Sequence, residues 1–160
     1  MTQVTSTDID GNMYQVPCSE LVWRPSAYGI VIRNGHILLT EQYKKFHLPG
    51  GGVDLGELPE ETVVREVLEE TGFNVANPKF VDMVWDFYTY DSRSLGRKKH
   101  VQSILMFYIC EFVGGQASMN GFGESEKLIG DMPKWIHLDD LDKINAGSTI
   151  DWRQIVKRAL

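Results

Sequence analysis

Two cysteines in 160 residues, Cys18 and Cys110, are too few for a disulfide framework. Neither sits in a metal or redox motif, so both are expected as buried free thiols. No run approaches the ~18 consecutive apolar residues of a membrane-spanning helix. The start, MTQVTSTDID, has no basic segment leading into an apolar one, so the expectation is a cytoplasmic protein without a membrane partner. Positive charge is short: 16 Lys and Arg stand against 22 Asp and Glu, a net charge of −6. That balance opposes sequence-independent binding to nucleic acid, although it does not exclude a nucleotide held through a metal ion. Internal repeats and low-complexity segments are absent as well, which excludes solenoids and disordered tails.

What is present is the apolar content of a globular protein, 42% with 11% aromatics, enough for one domain over 1–160 with a sizeable core. Asp10-Gly11 between two short β-like runs predicts an N-terminal hairpin, residues 1–24, appended to that domain. Asn34-Gly35 between Ala27 to Arg33 and His36 to Glu41 is the strongest hairpin signal, and the Ile, Val and Leu of those runs suggest strands covered on both faces. Tyr43 to Phe46 reads as a polar turn, and His47 to Pro49 as a short strand. Phe80 to Asp91 and Val101 to Phe112 read as an antiparallel pair around the polar, basic stretch Ser92 to His100. Gly114 to Asp131 reads as a loop, and Trp135 to Leu138 as a last strand. Asp139 is a plausible cap for the short helix that follows. Asp151 to Leu160 forms a closing helix with Trp152, Ile155, Val156 and Ala159 inside. Strands mixed with two or three helices predict an α/β fold with helices on both faces of the sheet.

The chemistry is concentrated in Gly50 to Phe73, GGGVDLGELPEETVVREVLEETGF. Pro59 suits a first helical turn, Glu60 and Glu61 complement the positive helix N-terminus, and Gly72 suits the end. At about 100° per residue, Glu70 lies about 40° to one side of Glu66 and Glu69 about 60° to the other, while Val63, Val64, Val67 and Leu68 turn away. One face is acidic and the other belongs to a core. Glutamates at this spacing repel one another by a few tenths of a kcal/mol per pair, and no lysine stands at helical spacing to relieve them. A hard divalent cation would, since Mg²⁺ and Mn²⁺ prefer carboxylate, carbonyl and water oxygens. Gly50, Gly51 and Gly52 form a loop whose backbone can approach a ligand and turn a carbonyl toward a metal.

The stretch resembles the Nudix box, Gx5Ex7REUxEExGU, at every fixed position: Gly51, Glu57, Arg65, Glu66, Val67, Glu69, Glu70, Gly72 and Phe73. The resemblance covers the box and the order of elements around it. It implies the Nudix α/β/α sandwich with a mixed central sheet. It also implies metal-dependent hydrolysis of a phosphoanhydride bond in a nucleoside diphosphate linked to a further group. By the same resemblance Glu66, Glu69, Glu70 and the Gly50 carbonyl are ligands of Mg²⁺ or Mn²⁺, and Glu66 also orients or deprotonates the attacking water. Arg65 and Glu57 are expected behind those ligands as an ion pair holding the loop to the helix, a surface salt bridge being the alternative. Family members often supply one more acid from the loop before the last strand, here Glu124 or Glu126, with Glu126 slightly preferred of the two; a pair of solvated loop charges is the alternative.

Outside the box the signals are weaker. His47 stands either near substrate or as a structural histidine, and Arg97-Lys98-Lys99-His100 either reaches phosphates or forms a solvated hairpin tip. Tyr28, Phe46, Trp85, Phe87, Tyr88 and Tyr90 are candidates for base recognition, with Trp85 and Phe87 on the opposite strand face from Tyr88 and Tyr90. Apart from Pro78, no proline falls in Val75 to Val113, which counts against the ADP-ribose class, and coenzyme A and NADH signatures are missing. The small size and plain box look most like a MutT-like nucleoside triphosphate pyrophosphatase. A dinucleoside polyphosphate or RNA 5′-end pyrophosphohydrolase and a non-catalytic nucleotide-binding module are the alternatives. The partner expected is a small nucleotide, and a homodimer is left open.

Overall fold

The computed structural model describes residues 2–92, 96–118 and 130–160. The ten strands are β1 (Gln3–Thr7), β2 (Met13–Pro17), β3 (Leu21–Trp23), β4 (Ser26–Arg33), β5 (His36–Gln42), β6 (Lys45–His47), β7 (Gly50–Gly52), β8 (Phe73–Ser92), β9 (Arg97–Gly115) and β10 (Gly130–His137). Among the described residues two α-helices accompany them, α1 (Pro59–Thr71) and α2 (Trp152–Ala159). The strands run in the order β10-β5-β4-β9-β8-β1-β2, with β3 on β9, β6 on β5 and β7 on β4. The sheet is mixed: β4 lies parallel to β9, whereas β8 and β9 form a long antiparallel ladder.

Alternation in the central strands builds two cores. Ala27 and Val31 of β4, Leu38 of β5, and Tyr108 and Cys110 of β9 face Val63 and Val67 of α1. Their neighbours Ile30, Ile37, Leu39, Leu105 and Phe107 face Trp152, Ile155 and Val156 of α2. Helices therefore cover both faces of these strands, and the α/β sandwich expected from the sequence is the one observed. Burying each such aliphatic side chain contributes roughly 1.5–3 kcal/mol before entropy is counted. The core side of α1 presses on β4 at Gly29, where an added Cβ would lie 2.8 Å from Val67 Cγ2 and 3.3 Å from Val63 Cγ1. That contact sets the height of the glutamate helix over the sheet.

Asn34 and Gly35 both have positive φ, 50° and 75°, as a two-residue hairpin turn requires. Tyr43 and Lys44, at 51° and 60°, make a second such turn, so that β6 begins at Lys45, inside the stretch that reads as a turn in the sequence. The N-terminal hairpin turns through Asp8 to Asn12, whose backbone and side-chain amides bond Asp8 Oδ1. It joins the sheet by parallel pairing of Thr7 with Tyr88 and a 2.7 Å bond between the Ser6 and Thr89 hydroxyls.

Three expectations change. The triple glycine is a strand rather than a loop, pairing antiparallel with Ser26–Tyr28. His137 Nδ1, not Asp139, caps the turn Leu138–Asp140 by accepting from the Asp139 N–H at 3.2 Å. Cys110 is buried but Cys18 is exposed, because it begins a short turn between β2 and β3 rather than a core strand. Among the described residues no helix is long and apolar enough to cross a membrane.

Candidate active site

Two neighbouring elements bring the glutamates to backbone. The strand β7 lies along β4, and α1 rests on the same strand through Val63 and Val67, so the acidic face of α1 is carried over the three glycines. At Gly51 an added Cβ would collide with Glu66 Oε1 and lie 2.7 Å from its Cδ, so a side chain there would turn that carboxylate out of its present position. Gly50 donates its N–H to Glu70 Oε2 at 3.0 Å. The side chain of Glu66 is 15% exposed and that of Glu69 46%, so these two carboxylates sit at different depths.

Arg65 binds this arrangement together. Its Nε and Nη2 donate to the two oxygens of Glu57, each at 2.8 Å, and its Nη1 donates to Glu66 Oε1 at 2.8 Å and Glu69 Oε2 at 3.2 Å. Nη2 also reaches the Gly52 carbonyl at 3.4 Å. The Glu57 pair is bidentate, the geometry that a planar guanidinium favours. Glu57 accepts further from the Thr62 hydroxyl at 2.7 Å and the Asp54 N–H at 3.3 Å. Arg65 and these donors hold the Glu57 carboxyl down at about 2, and the same bonds, Glu57 first, push Arg65 above its usual range. Burial pushes Glu66 up, against the charges of Arg65 and Arg24.

The repulsion anticipated along the acidic face is thus relieved by Arg65, one position before Glu66 and four before Glu69. A search for lysine at helical spacing passes over it. The donor set suits a hard cation: carboxylate oxygens of unequal depth, with a glycine cradle that any side chain would fill. Among the described residues no three acidic or histidine side chains already converge on one point. A cation has to compete with Arg65 for Glu66 and Glu69, and with the Gly50 N–H for Glu70. Gly50 engages the helix here through its N–H; its carbonyl was the group expected from the sequence. Glu124 and Glu126 lie outside the described residues.

The weaker sequence signals separate. Burial holds the His47 imidazole down at about 4, and its Nε2 is buried without a hydrogen-bond partner, the state of a neutral structural histidine. In the basic run, Lys98 pairs with Asp91 at 3.3 Å and lies over the Tyr14 ring, and His100 Nδ1 bonds the Thr89 hydroxyl at 2.8 Å. Tyr28 stacks on Phe107 at 5.6 Å, and Phe46 packs on the α2 core. Trp85 is exposed and pairs with Trp23 at 5.6 Å. Tyr88 and Tyr90, with ring centroids 6.0 Å apart, share a cleft of about 550 Å³. Trp23 and Arg24 are what a reading of the sequence misses. Arg24 Nη1 donates to the Tyr88 hydroxyl at 3.2 Å, and a Cβ on Gly52 would lie 2.8 Å from its Nε. The adjacent indole and guanidinium just before β4 were the available signal.

The family model of the NUDIX domain matches residues 23–155. An RNA pyrophosphohydrolase of Bartonella quintana is 28% identical over 110 residues, which cover 66% of this chain and 64% of that protein. An ADP-ribose pyrophosphatase of Methanocaldococcus jannaschii is 37% identical over 93 residues, 55% of this chain and 50% of its own. The chain spans less than two thirds of the length of these curated relatives. Among solved structures, a mutator MutT protein from Bacillus halodurans superposes with a TM-score of 0.61 at 20% identity, over 86% of this chain and 80% of its own. A MutT NUDIX hydrolase from Burkholderia pseudomallei gives 0.59 at 20% identity, over 87% and 99%. At such identities the structures speak for the fold.

Proposed function

The chain belongs to the NUDIX domain family, and from that premise we propose that it is a divalent-metal-dependent pyrophosphohydrolase acting on a free nucleotide, with nucleoside triphosphates as the leading substrates. The observation that carries this reading is the fit of Glu66 onto Gly51, with Arg65 joining Glu57, Glu66 and Glu69. A bland solvated helix would need neither.

Glu66, Glu69 and Glu70 are the residues that would hold Mg²⁺ or Mn²⁺. Such ions neutralise phosphate charge and lower the pKa of a bound water. Arg65 fixes the direction of Glu66 and, through Glu57, anchors the helix to the turn before it. Burial makes Glu66 a better proton acceptor than an exposed glutamate, which suits it to take a proton from the attacking water. That water oxygen forms a bond to phosphorus as the bridging P–O bond breaks, and a nucleoside triphosphate yields a monophosphate and pyrophosphate. The relatives named above differ in substrate from one another, so they do not choose among nucleotides. The net charge of −6 favours a free nucleotide over an RNA 5′ end.

The test is product release in the presence of Mg²⁺ from a panel of nucleoside triphosphates, a dinucleoside polyphosphate and a 5′-triphosphorylated oligoribonucleotide. Monophosphate and pyrophosphate from at least one triphosphate, lost in Glu70→Gln, is the expected result. Turnover confined to the oligoribonucleotide would overturn the choice of substrate, and absence of turnover on every compound would overturn the enzymatic reading.

A further inference from the structure

We infer that the cleft between β3 and the β8–β9 ladder seats the base of the nucleotide, with Arg24 and Lys99 taking the phosphate next to it. The inference rests on reading α1 as a nucleotide-cleaving site, and it names where the rest of that nucleotide lies.

Four observations carry it. The cleft measures about 550 Å³, within the range of small-molecule sites. Its lining is aromatic and cationic: Trp23, Tyr88 and Tyr90 with Arg24 and Lys99, floored by Val22 and Val101, and no carboxylate among them. In a chain of net charge −6 that is a local reversal of sign. Among the described residues neither cation has an ion pair. Arg65 and Lys98 are ion-paired, whereas among the described residues Arg24 bonds only the neutral Tyr88 hydroxyl and Lys99 has no ion pair. The Arg24 backbone is nonetheless fixed, its N–H donating to the Gln102 carbonyl at 3.1 Å and its carbonyl accepting from the Ser103 hydroxyl at 2.5 Å. Finally, the Arg24 guanidinium lies against Gly52, the residue after the one that receives Glu66. One side chain therefore touches both the glycine strand and the aromatic cleft.

The chemistry that fits is a flat heterocycle joined to a phosphate. Trp23 and Tyr90, 54% and 39% exposed, offer ring faces, and a base stacking on an aromatic side chain gains affinity without regard to sequence. A guanidinium and an ammonium beside those rings suit phosphate oxygens. A substrate lying across Arg24 would present its phosphate chain to the glutamates and its base to the rings.

Calorimetric titration of the full chain with the four common ribonucleoside 5′-monophosphates, and with ribose 5-phosphate as the base-free probe, tests this directly. At least one monophosphate is expected to bind about tenfold or more tightly than ribose 5-phosphate. Tyr90→Ala and Arg24→Met are each expected to remove about tenfold of that affinity, Tyr90→Phe to retain it, and Phe80→Ala, an exposed aromatic outside the cleft, to change nothing. On the substrate that the panel identifies, Tyr90→Ala should raise KM with kcat within about twofold, the signature of lost uniform binding. Equal affinity for ribose 5-phosphate, or monophosphate binding undiminished in both Tyr90→Ala and Arg24→Met, would overturn the inference. Monophosphate binding by a wild-type protein that hydrolyses no nucleotide would sink the enzymatic reading and leave the cleft standing.

Discussion

The two charged regions of this molecule are built on opposite plans. Along α1 the charges are spent on one another: Arg65 holds Glu57, Glu66 and Glu69, and Glu70 takes a backbone N–H. In the cleft beside β3 the cations are left over: among the described residues Arg24 rests on a phenol and Lys99 has no ion pair. A charged group already paired inside a protein is positioned, and its loss disturbs its neighbours. A charged group left over faces a ligand, and its loss disturbs only that ligand. The contrast predicts that substitutions in the first region alter rate, and folding as well where the lost group ties its neighbours together as Arg65 does, and that those in the second alter affinity.

The sharpest break should come from Glu70→Gln. Turnover is expected to fall by about 10²–10⁴-fold, the scale on which a positioned catalytic group acts. The amide oxygen can still accept from the Gly50 N–H, so the melting temperature without metal should hold or rise; unchanged turnover at saturating Mg²⁺ would remove Glu70 from the site. Arg65→Lys comes next. A lysine cannot make the forked bond to Glu57, and supporting residues of this kind cost about 10–100-fold in metal affinity or activity. Kinetics equal to wild type would reduce Arg65 to a surface salt bridge. The variant should also melt earlier in metal-free buffer.

Smaller effects follow on stability alone. Gly29→Ala crowds Val63 and Val67 and should destabilise by about 1–3 kcal/mol, as overpacking does, measured by denaturant unfolding. The pH dependence should carry two limbs. Glu57 is depressed to about 2, so its contribution is full above its unfolded value near 4.5 and disappears as pH falls toward 2. His47 is depressed to about 4, so folding is favoured above about 6.5 and the benefit is lost as pH falls toward 4. Glu57→Gln should flatten only the lower limb, and a His47→Asn or His47→Gln variant only the upper. The smallest effect belongs to the cleft. Lys99→Met should change stability by no more than about 0.5 kcal/mol, the usual range for a surface change, and a larger loss would show that Lys99 has a structural partner.

Much of this was legible because local chemistry and tertiary demand agree. Asn34-Gly35 makes the turn expected of it, and Val63 and Val67 separate from the glutamates of α1 by helical period alone, whereas Leu68, expected on the same inner face, is 44% exposed. What stayed hidden depends on partners distant in sequence. Nothing in Gly50-Gly51-Gly52 says that it pairs with Ser26–Tyr28, since a strand's identity comes from its neighbour. The turn at Tyr43-Lys44 was legible, but not that it is only two residues long with β6 starting at Lys45, since it lacks the glycine that marks such tight turns. Arg24 and Trp23 become a wall only when β3 aligns beside His100 to Gln102 of β9, a parallel pairing across some eighty residues that no local pattern announces.

We propose that the acidic face of α1 takes a divalent cation in exchange for its contacts with Arg65 and the Gly50 N–H. The most direct measurement is the melting temperature of the wild-type chain and of Glu66→Gln in Mg²⁺ or Mn²⁺, against NaCl of equal ionic strength. A ligand bound only by the folded state at 100 times its Kd stabilises by about 2.7 kcal/mol. The account therefore predicts a rise of several degrees in the wild type with millimolar metal and none in Glu66→Gln. A wild-type transition that moves no further with metal than with NaCl, or a shift of equal size in Glu66→Gln, would contradict it.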